Sequence, residues 1–328
     1  MTQLSDQAVA RLQSCMQEPD LAGTRYALVR YLARGGMGSV WLAEDTMLQR
    51  RVALKVLDLV PPTDDFARRL LQEARILAGL EHPGIVPIHD VGTLPDGRAF
   101  YCMKYVEGKT LTHHVTGTGL ADKLRLLERI AEPVSFAHAR GVIHRDLKPE
   151  NIMIGAFGEV LVMDWGLAKI AAGVPPPAEN NTDAPMVTAP GVSGQGKVLG
   201  THGYMSPEQA RGAAAVDHRS DIFSMGAILW YLMTGSPPGN PPGADTSVPR
   251  PLGAVSQKAM APDPDERYQS AAEMIADVAR YLEGSPVRAY SESPFERAIR
   301  IYKRHSTAII LVAVYLLMRL LFLLLARR

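Results

Sequence analysis

The octapeptide His144-Arg145-Asp146-Leu147-Lys148-Pro149-Glu150-Asn151 constrains this chain more than any other stretch. It lies between a helical pattern, Leu120 to Gly141, and a short apolar strand, Ile152-Met153-Ile154. A helix must therefore hand over to a strand through one tight, polar loop. Asp146 can accept a proton, Lys148 can stabilise an anionic group in transfer, and Asn151 offers a hard carbonyl oxygen to a cation. One aspartate in a loop is usually a turn residue. These groups gathered on one loop point to chemistry.

The order of patterns around the loop sets the fold class. Arg25 to Leu57 reads as strand, Gly-rich turn, strand, strand. Asp64 to Leu80 has helical spacing at Phe66, Leu70, Leu77 and Leu80, and Ile85–Val91 and Ala99–Val106 alternate like strands. From Leu111 onward helical patterns dominate, notably at 120–141, 220–235 and 270–284. The expectation is an α+β chain: a small β-rich lobe with one main helix (25–106), then a larger α-rich lobe (107–284). Residues 1–24 form an amphipathic extension, and 285–306 a linker whose stretch Arg297–His305 is basic. Ala171–Gln195 and Ser236–Pro251 are Pro/Gly-rich, the first reading as disordered or mobile and the second as a loop.

Thr307 to Ala326 is apolar apart from Arg319. Its length matches a bilayer core of about 30 Å. A mid-membrane arginine costs roughly 3 kcal/mol, which the many leucines and isoleucines outweigh, and its long stem can reach the nearer face. The reading is a single transmembrane helix, with the basic stretch before it placing the N-terminal part in the cytoplasm. Met1–Pro19 has no signal-peptide pattern. The chain of 328 residues carries 35 basic and 34 acidic side chains, and this balance argues against a nucleic-acid partner. Cys15 and Cys102 fit no disulfide or metal spacing and read as reduced thiols.

Three further features carry chemistry. The turn Leu32-Ala33-Arg34-Gly35-Gly36-Met37-Gly38-Ser39-Val40 would let backbone amides approach an anion. Lys55, in Val52-Ala53-Leu54-Lys55, needs a partner or ligand in its apolar strand, and Glu73 is the candidate. Asp164 ends a strand just before Trp165-Gly166, as a magnesium ligand could.

Together these motifs resemble the eukaryotic-type protein kinase family over residues 26 to 284. The runs from Arg34 to Trp41, His82 to Gly92, Gly200 to Gln209 and Asp263 to Tyr268 are similar to bacterial membrane-anchored serine/threonine kinases. The resemblance implies a two-lobed kinase fold that transfers the γ-phosphate of ATP to protein Ser/Thr hydroxyls, with magnesium, or manganese in its place. It implies Lys55 on the α- and β-phosphates with Glu73 as partner, Asp146 as base and Lys148 near the γ-phosphate. Asn151 and Asp164 would hold the metal, and Thr201 would contact Asp146 and Lys148. Leu32 through Val40 would cover the nucleotide, Ala53 and Met153 would sandwich adenine, Met103 would be the gatekeeper and Lys104 to Val106 the hinge. Leu77, Ile88, His144 and Trp165 would stack between the lobes, Glu208 would pair with Arg267, and Asp221 would brace the catalytic loop. Partners implied are protein substrates, a second copy for trans-autophosphorylation, and the inner cell membrane.

The sequence departs from the family pattern in places. Ala33 replaces the first loop glycine, predicting weakened nucleotide binding; Trp165 replaces phenylalanine, Ser206 replaces alanine, and Lys104 stands where an acidic residue is usual. The stretch from Asp164 to Glu208 is long, with Thr182, Thr188 and Ser193 as candidate phosphosites that Arg145 could read. The stretch after Gly235 is short, predicting a reduced substrate-docking helix. The competing class is a pseudokinase scaffold, which measurable turnover would remove. A small-molecule kinase fits less well with the Gly200–Glu208 run.

Overall fold

The computed structural model describes residues 18–35, 38–57, 77–115, 117–165, 203–212, 216–239 and 248–325. Five antiparallel strands come first: β1 (Tyr26–Gly35), β2 (Gly38–Asp45), β3 (Arg50–Leu57), β4 (Ile88–Thr93) and β5 (Ala99–Lys104). Their order is β1-β2-β3-β5-β4. Successive side chains on a strand point to opposite faces. On β3, Val52, Leu54 and Val56 therefore meet Tyr26, Trp41, Phe100 and Cys102 on one side. Ala53 and Leu57 meet Tyr101, Met103, Val106 and Leu161 on the other. Lys55 shares that second face by the same alternation and is only 7% exposed.

The β1–β2 hairpin closes through the pair Gly35 and Gly38. Gly38 has a steric reason beyond any phosphate: a Cβ there would overlap the Val56 carbonyl of β3. Gly36 and Met37 at the tip lie outside the described residues, as does the expected 64–80 helix except for its last turn. The strand expected from Ile85 begins at Ile88, and Ile85 instead makes a parallel bridge to Val162.

The second half is helical around a small sheet of β6 (Gly108–Thr110), β7 (Ile152–Gly155) and β8 (Val160–Val162). Its helices are α1 (Leu111–His114), α2 (Leu120–His138), α3 (Pro207–Ala210), α4 (Arg219–Thr234), α5 (Arg250–Ala259), α6 (Ala271–Leu282) and α7 (Pro294–Leu325). Helix α4 is apolar on nearly every side, with Ile222, Met225, Ala227, Ile228, Leu229 and Leu232 fully enclosed. It ends at Gly235, whose φ of 76° supplies the left-handed cap that a side chain would resist. Helices α2, α5 and α6 surround it. Helix α6 starts at Ser270, whose hydroxyl accepts the Glu273 amide at 3.1 Å. The two-lobed arrangement expected from the pattern order, sheet first and helices second, is the one observed.

The segment read as the start of a linker stays packed. Val287 is buried, and the Arg288 and Ala289 amides donate to Asp277 at 2.9 and 3.0 Å. Ser293 and Glu296 then cap α7 reciprocally, with the Glu296 amide on Ser293 Oγ and the Ser293 amide on Glu296 Oε2. Helix α7 is 32 residues long and exposes Leu311, Val314, Leu317 and Phe322. Side chains at 301, 303–309, 313, 320–321 and 323–324 lie outside the described set. Among the described residues, no helix is long and apolar enough to cross a membrane. Cys102 is a buried free thiol, while Cys15 is outside the described residues.

Candidate active site

The octapeptide leaves α2 and re-enters order as the 3-10 turn Pro149–Asn151, directly before β7. Its polar groups are tied together. Lys148 Nζ donates to Asp146 Oδ2 at 2.9 Å. Asn151 Nδ2 donates to the Asp146 main-chain oxygen at 2.7 Å and to Oδ2 at 3.2 Å. With its amide nitrogen so used, Asn151 keeps its oxygen for another ligand.

Asp221, fully buried at the start of α4, holds the loop from below. Its carboxylate accepts the His144 and Arg145 amides, each at 2.8 Å, and faces His138 Nε2 at 2.7 Å. Burial alone would push this carboxyl up, but His138 and the amides outweigh it, so Asp221 sits below its ordinary range. Burial lowers the pKa of His144, which keeps the ring neutral. Its Nε2 donates to the Met163 carbonyl at 2.8 Å, and its Nδ1 accepts the Asp146 amide at 3.2 Å. One neutral tautomer satisfies both bonds.

Lys55 Nζ pairs with Asp164 Oδ2 at 2.7 Å. Glu73, its expected partner, and Thr201 lie outside the described residues. Tyr101 stands directly across the ladder from Lys55 and donates its hydroxyl to the other Asp164 oxygen at 3.2 Å. Burial, then the Asp164 charge, drives the Tyr101 pKa well up, so the phenol stays a donor. Asp164 has φ of 56°, unusual for a non-glycine, and these two contacts hold it there. Replacing Tyr101 by Phe keeps the ring and removes one bond to a charged acceptor. We expect a loss of about 1.5 kcal/mol of stability in urea unfolding.

Asp164 and Asn151 offer hard oxygen donors. Among the described residues, no group of three or more His, Cys, Asp or Glu side chains is placed to hold a metal alone. Magnesium takes one or two protein oxygens and completes its shell with phosphates and water.

Above the loop, Val40, Ala53, Met103, Val106 and Met153 belong to one apolar cluster that spans both lobes. Ala53 and Met103 are paired across β3 and β5, and Lys104, exposed, ends β5. Leu32, Ala33 and Arg34 run along β1, and Ser39 is buried on β2. Leu77, Ile88 and Trp165 line one pocket, and the Trp165 and His144 rings lie 4.8 Å apart. The indole N–H donates to the Val162 carbonyl at 3.1 Å, so the larger ring is accommodated with its polar atom satisfied. Glu208 and Arg267 form a two-point ion pair at 2.7 and 2.8 Å. Thr182, Thr188 and Ser193 are outside the described residues, and so is 240–247, where most of the expected shortening falls. Sequence reasoning passed over Tyr101, His138 and Gln209. Alternation along β5 would have put Tyr101 beside Lys55, whereas no local pattern marks the other two.

A five-stranded lobe carrying a buried lysine, set on a helical lobe carrying a braced Asp–Lys–Asn loop, defines a protein kinase. The protein kinase domain model matches residues 26–280, and the chain belongs to that family, in its eukaryotic-type bacterial serine/threonine branch. It is 36% identical over 305 residues to serine/threonine-protein kinase PknD of Protochlamydia amoebophila, covering 79% of this chain and 30% of that protein. It is 40% identical over 294 residues to serine/threonine-protein kinase PknB of Mycolicibacterium smegmatis, covering 82% of this chain and 45% of that protein. The chain thus spans less than half the length of these relatives. The crystal structure of the Mycobacterium tuberculosis PknI kinase domain superposes with a TM-score of 0.60 at 27% identity, over 79% of this chain and 96% of that domain.

Proposed function

We propose that this chain is an ATP-dependent protein serine/threonine kinase. The observation that carries it is the bonded set of Asp146, Lys148 and Asn151, with Lys55 and Asp164 in direct contact nearby. Asp146 takes the proton of a Ser or Thr hydroxyl as its oxygen bonds to the γ-phosphorus. The bond from that phosphorus to the bridging oxygen breaks, and ADP leaves. Lys148 stabilises the transferring group, and Thr201 has the role beside Asp146 and Lys148 that the family resemblance implies. Lys55, with Glu73, neutralises the α- and β-phosphates. The turn from Leu32 to Val40 covers the nucleotide; Ala53 and Met153 hold adenine, and Met103 and Lys104 to Val106 border it. Asn151 and Asp164 are the residues that would hold magnesium, or manganese, whose charge screens the phosphates. Arg145, Asp146, Leu147, Lys148 and Tyr204 line one small pocket beside the catalytic loop.

The same reading makes α7 an inner-membrane anchor with the kinase lobes in the cytoplasm. Its exposed Ile310, Leu311, Val314, Leu316 and Phe322 support this, as does the basic run before them. A second copy is the natural partner for autophosphorylation in trans.

The test is phosphate transfer by the full chain in detergent, from ATP–Mg²⁺ to itself and to a basic protein, followed by mass-spectrometric site mapping. Phosphoserine or phosphothreonine is expected. A folded sample that makes neither overturns the kinase reading. For the anchor, the full chain should sediment with membranes until detergent is added, and recovery in the detergent-free supernatant would refute it.

A further inference from the structure

The kinase reading employs Glu208 and leaves its neighbour Gln209 without a task. Yet the Gln209 carboxamide is fully engaged. Its Oε1 accepts the Ser206 amide at 3.2 Å and the Ser206 hydroxyl at 3.1 Å. Its Nε2 donates to the Arg145 carbonyl at 2.9 Å, 64 residues away. The Ser206 amide demands an oxygen and the Arg145 carbonyl demands an N–H, so only one amide orientation serves both.

Arg145 has φ of 64°, left-handed for a residue with a side chain. Such a conformation persists only when its surroundings over-determine it. The Arg145 amide is held by Asp221 at 2.8 Å, and its carbonyl by Gln209. That carbonyl belongs to the same rigid peptide unit as the Asp146 amide. The Asp146 amide, in turn, donates to His144 Nδ1 at 3.2 Å. The peptide leading into Asp146 is thus pinned at its oxygen by α3 and at its nitrogen by His144. The direction in which Asp146 leaves the backbone follows from that plane.

We propose that Gln209 is a positioning residue for Asp146, fixing the 145–146 peptide plane from α3. The inference rests on the kinase reading for its consequence, not for its geometry.

Gln209→Glu separates this role from helix capping. A carboxylate can still accept both Ser206 bonds but has no N–H for the Arg145 carbonyl. Ser206→Ala is the converse: it removes the capping hydroxyl and leaves the Gln209–Arg145 bond, and alanine is the residue usual in the family there. Two readouts are needed, on the full chain in detergent. In nucleotide-free protein, amide exchange of the segment 142–151 should rise about tenfold in Gln209→Glu and stay at the wild-type rate in Ser206→Ala. With ATP–Mg²⁺ and a basic protein, kcat should fall about tenfold or more in Gln209→Glu with the KM for ATP within about twofold. Ser206→Ala should keep kcat within about twofold, whatever it does to the melting temperature. Wild-type exchange in Gln209→Glu, or the same exchange and rate changes in both variants, overturns the proposal. Exchange decides it even if the wild type transfers no phosphate, an outcome that would instead remove the kinase reading.

Discussion

Asp146→Asn should lower phosphoryl-transfer turnover by about 10²–10⁴-fold, the usual yield of a positioned general base. The substitution is isosteric and swaps an acceptor for a group with no appreciable basicity. Little else should change. The Asn151 bond to the residue-146 main-chain oxygen, 2.7 Å long, does not involve the altered atoms. The backbone bracing by Asp221 is likewise untouched, because it acts on His144 and Arg145. Lys148, 2.9 Å from Oδ2, can turn to the carbonyl oxygen that remains. The melting temperature should therefore stay near the wild-type value, and the KM for ATP should move little, since the nucleotide is assigned to Lys55 and the β-lobe cluster. The measurement is steady-state transfer to a basic protein, with nucleotide affinity followed separately by calorimetry. Turnover within about threefold of wild type would remove Asp146 from the base role, because no structural loss could hide a catalytic one here.

Much of the site could be read from the chain because its groups come as short runs. Asp146, Lys148 and Asn151 occupy one loop, and loop residues close in sequence must be close in space. Lys55 and Ala53 were legible for a different reason: they alternate along one strand, and alternation assigns faces. What stayed hidden are contacts between distant segments with no patterned spacing. Tyr101 meets Asp164, 63 residues away, and Gln209 meets Arg145 across 64. Both partners have positive φ, a backbone state that residue type does not announce in an aspartate or an arginine. Helix α5 was missed because its first turn holds Pro251 and Gly253, residues that usually signal a loop. It is helical because Leu252, Val255 and Ala259 bury one stripe against α4, a tertiary gain that outweighs local preference.

Arg267→Met should destabilise the protein by about 3–5 kcal/mol at neutral pH, the cost of stripping a buried ion from its partner. The Arg267 side chain is completely enclosed. Besides its two bonds to Glu208, it donates to the carbonyls of Ala261 at 2.8 Å, Arg219 at 3.0 Å and Pro262 at 3.2 Å. It thereby joins α3, the start of α4 and the stretch before the 3-10 turn Pro264–Glu266. Burial alone would raise the Glu208 pKa, but the bonds from Arg267 and from Ser220, the latter 2.6 Å long, bring it down to about 2. A depressed folded-state pKa fixes the sign of the pH effect. The stabilisation is complete above the ordinary carboxyl value of 4.5 and drains away as pH falls towards about 2. In Arg267→Met, Glu208 has lost its main cation and binds a proton far more readily. The gap between wild type and variant, followed by urea unfolding, should therefore be widest near neutrality and shrink below pH 4.5. The double variant Glu208→Met/Arg267→Met should recover part of the loss, since no unpaired carboxylate remains. Recovery should stop short of wild type, because three backbone carbonyls still lack their donor. A gap that stayed constant with pH would mean that Arg267 acts through those carbonyls and its packing on Phe223, not through the charge of Glu208.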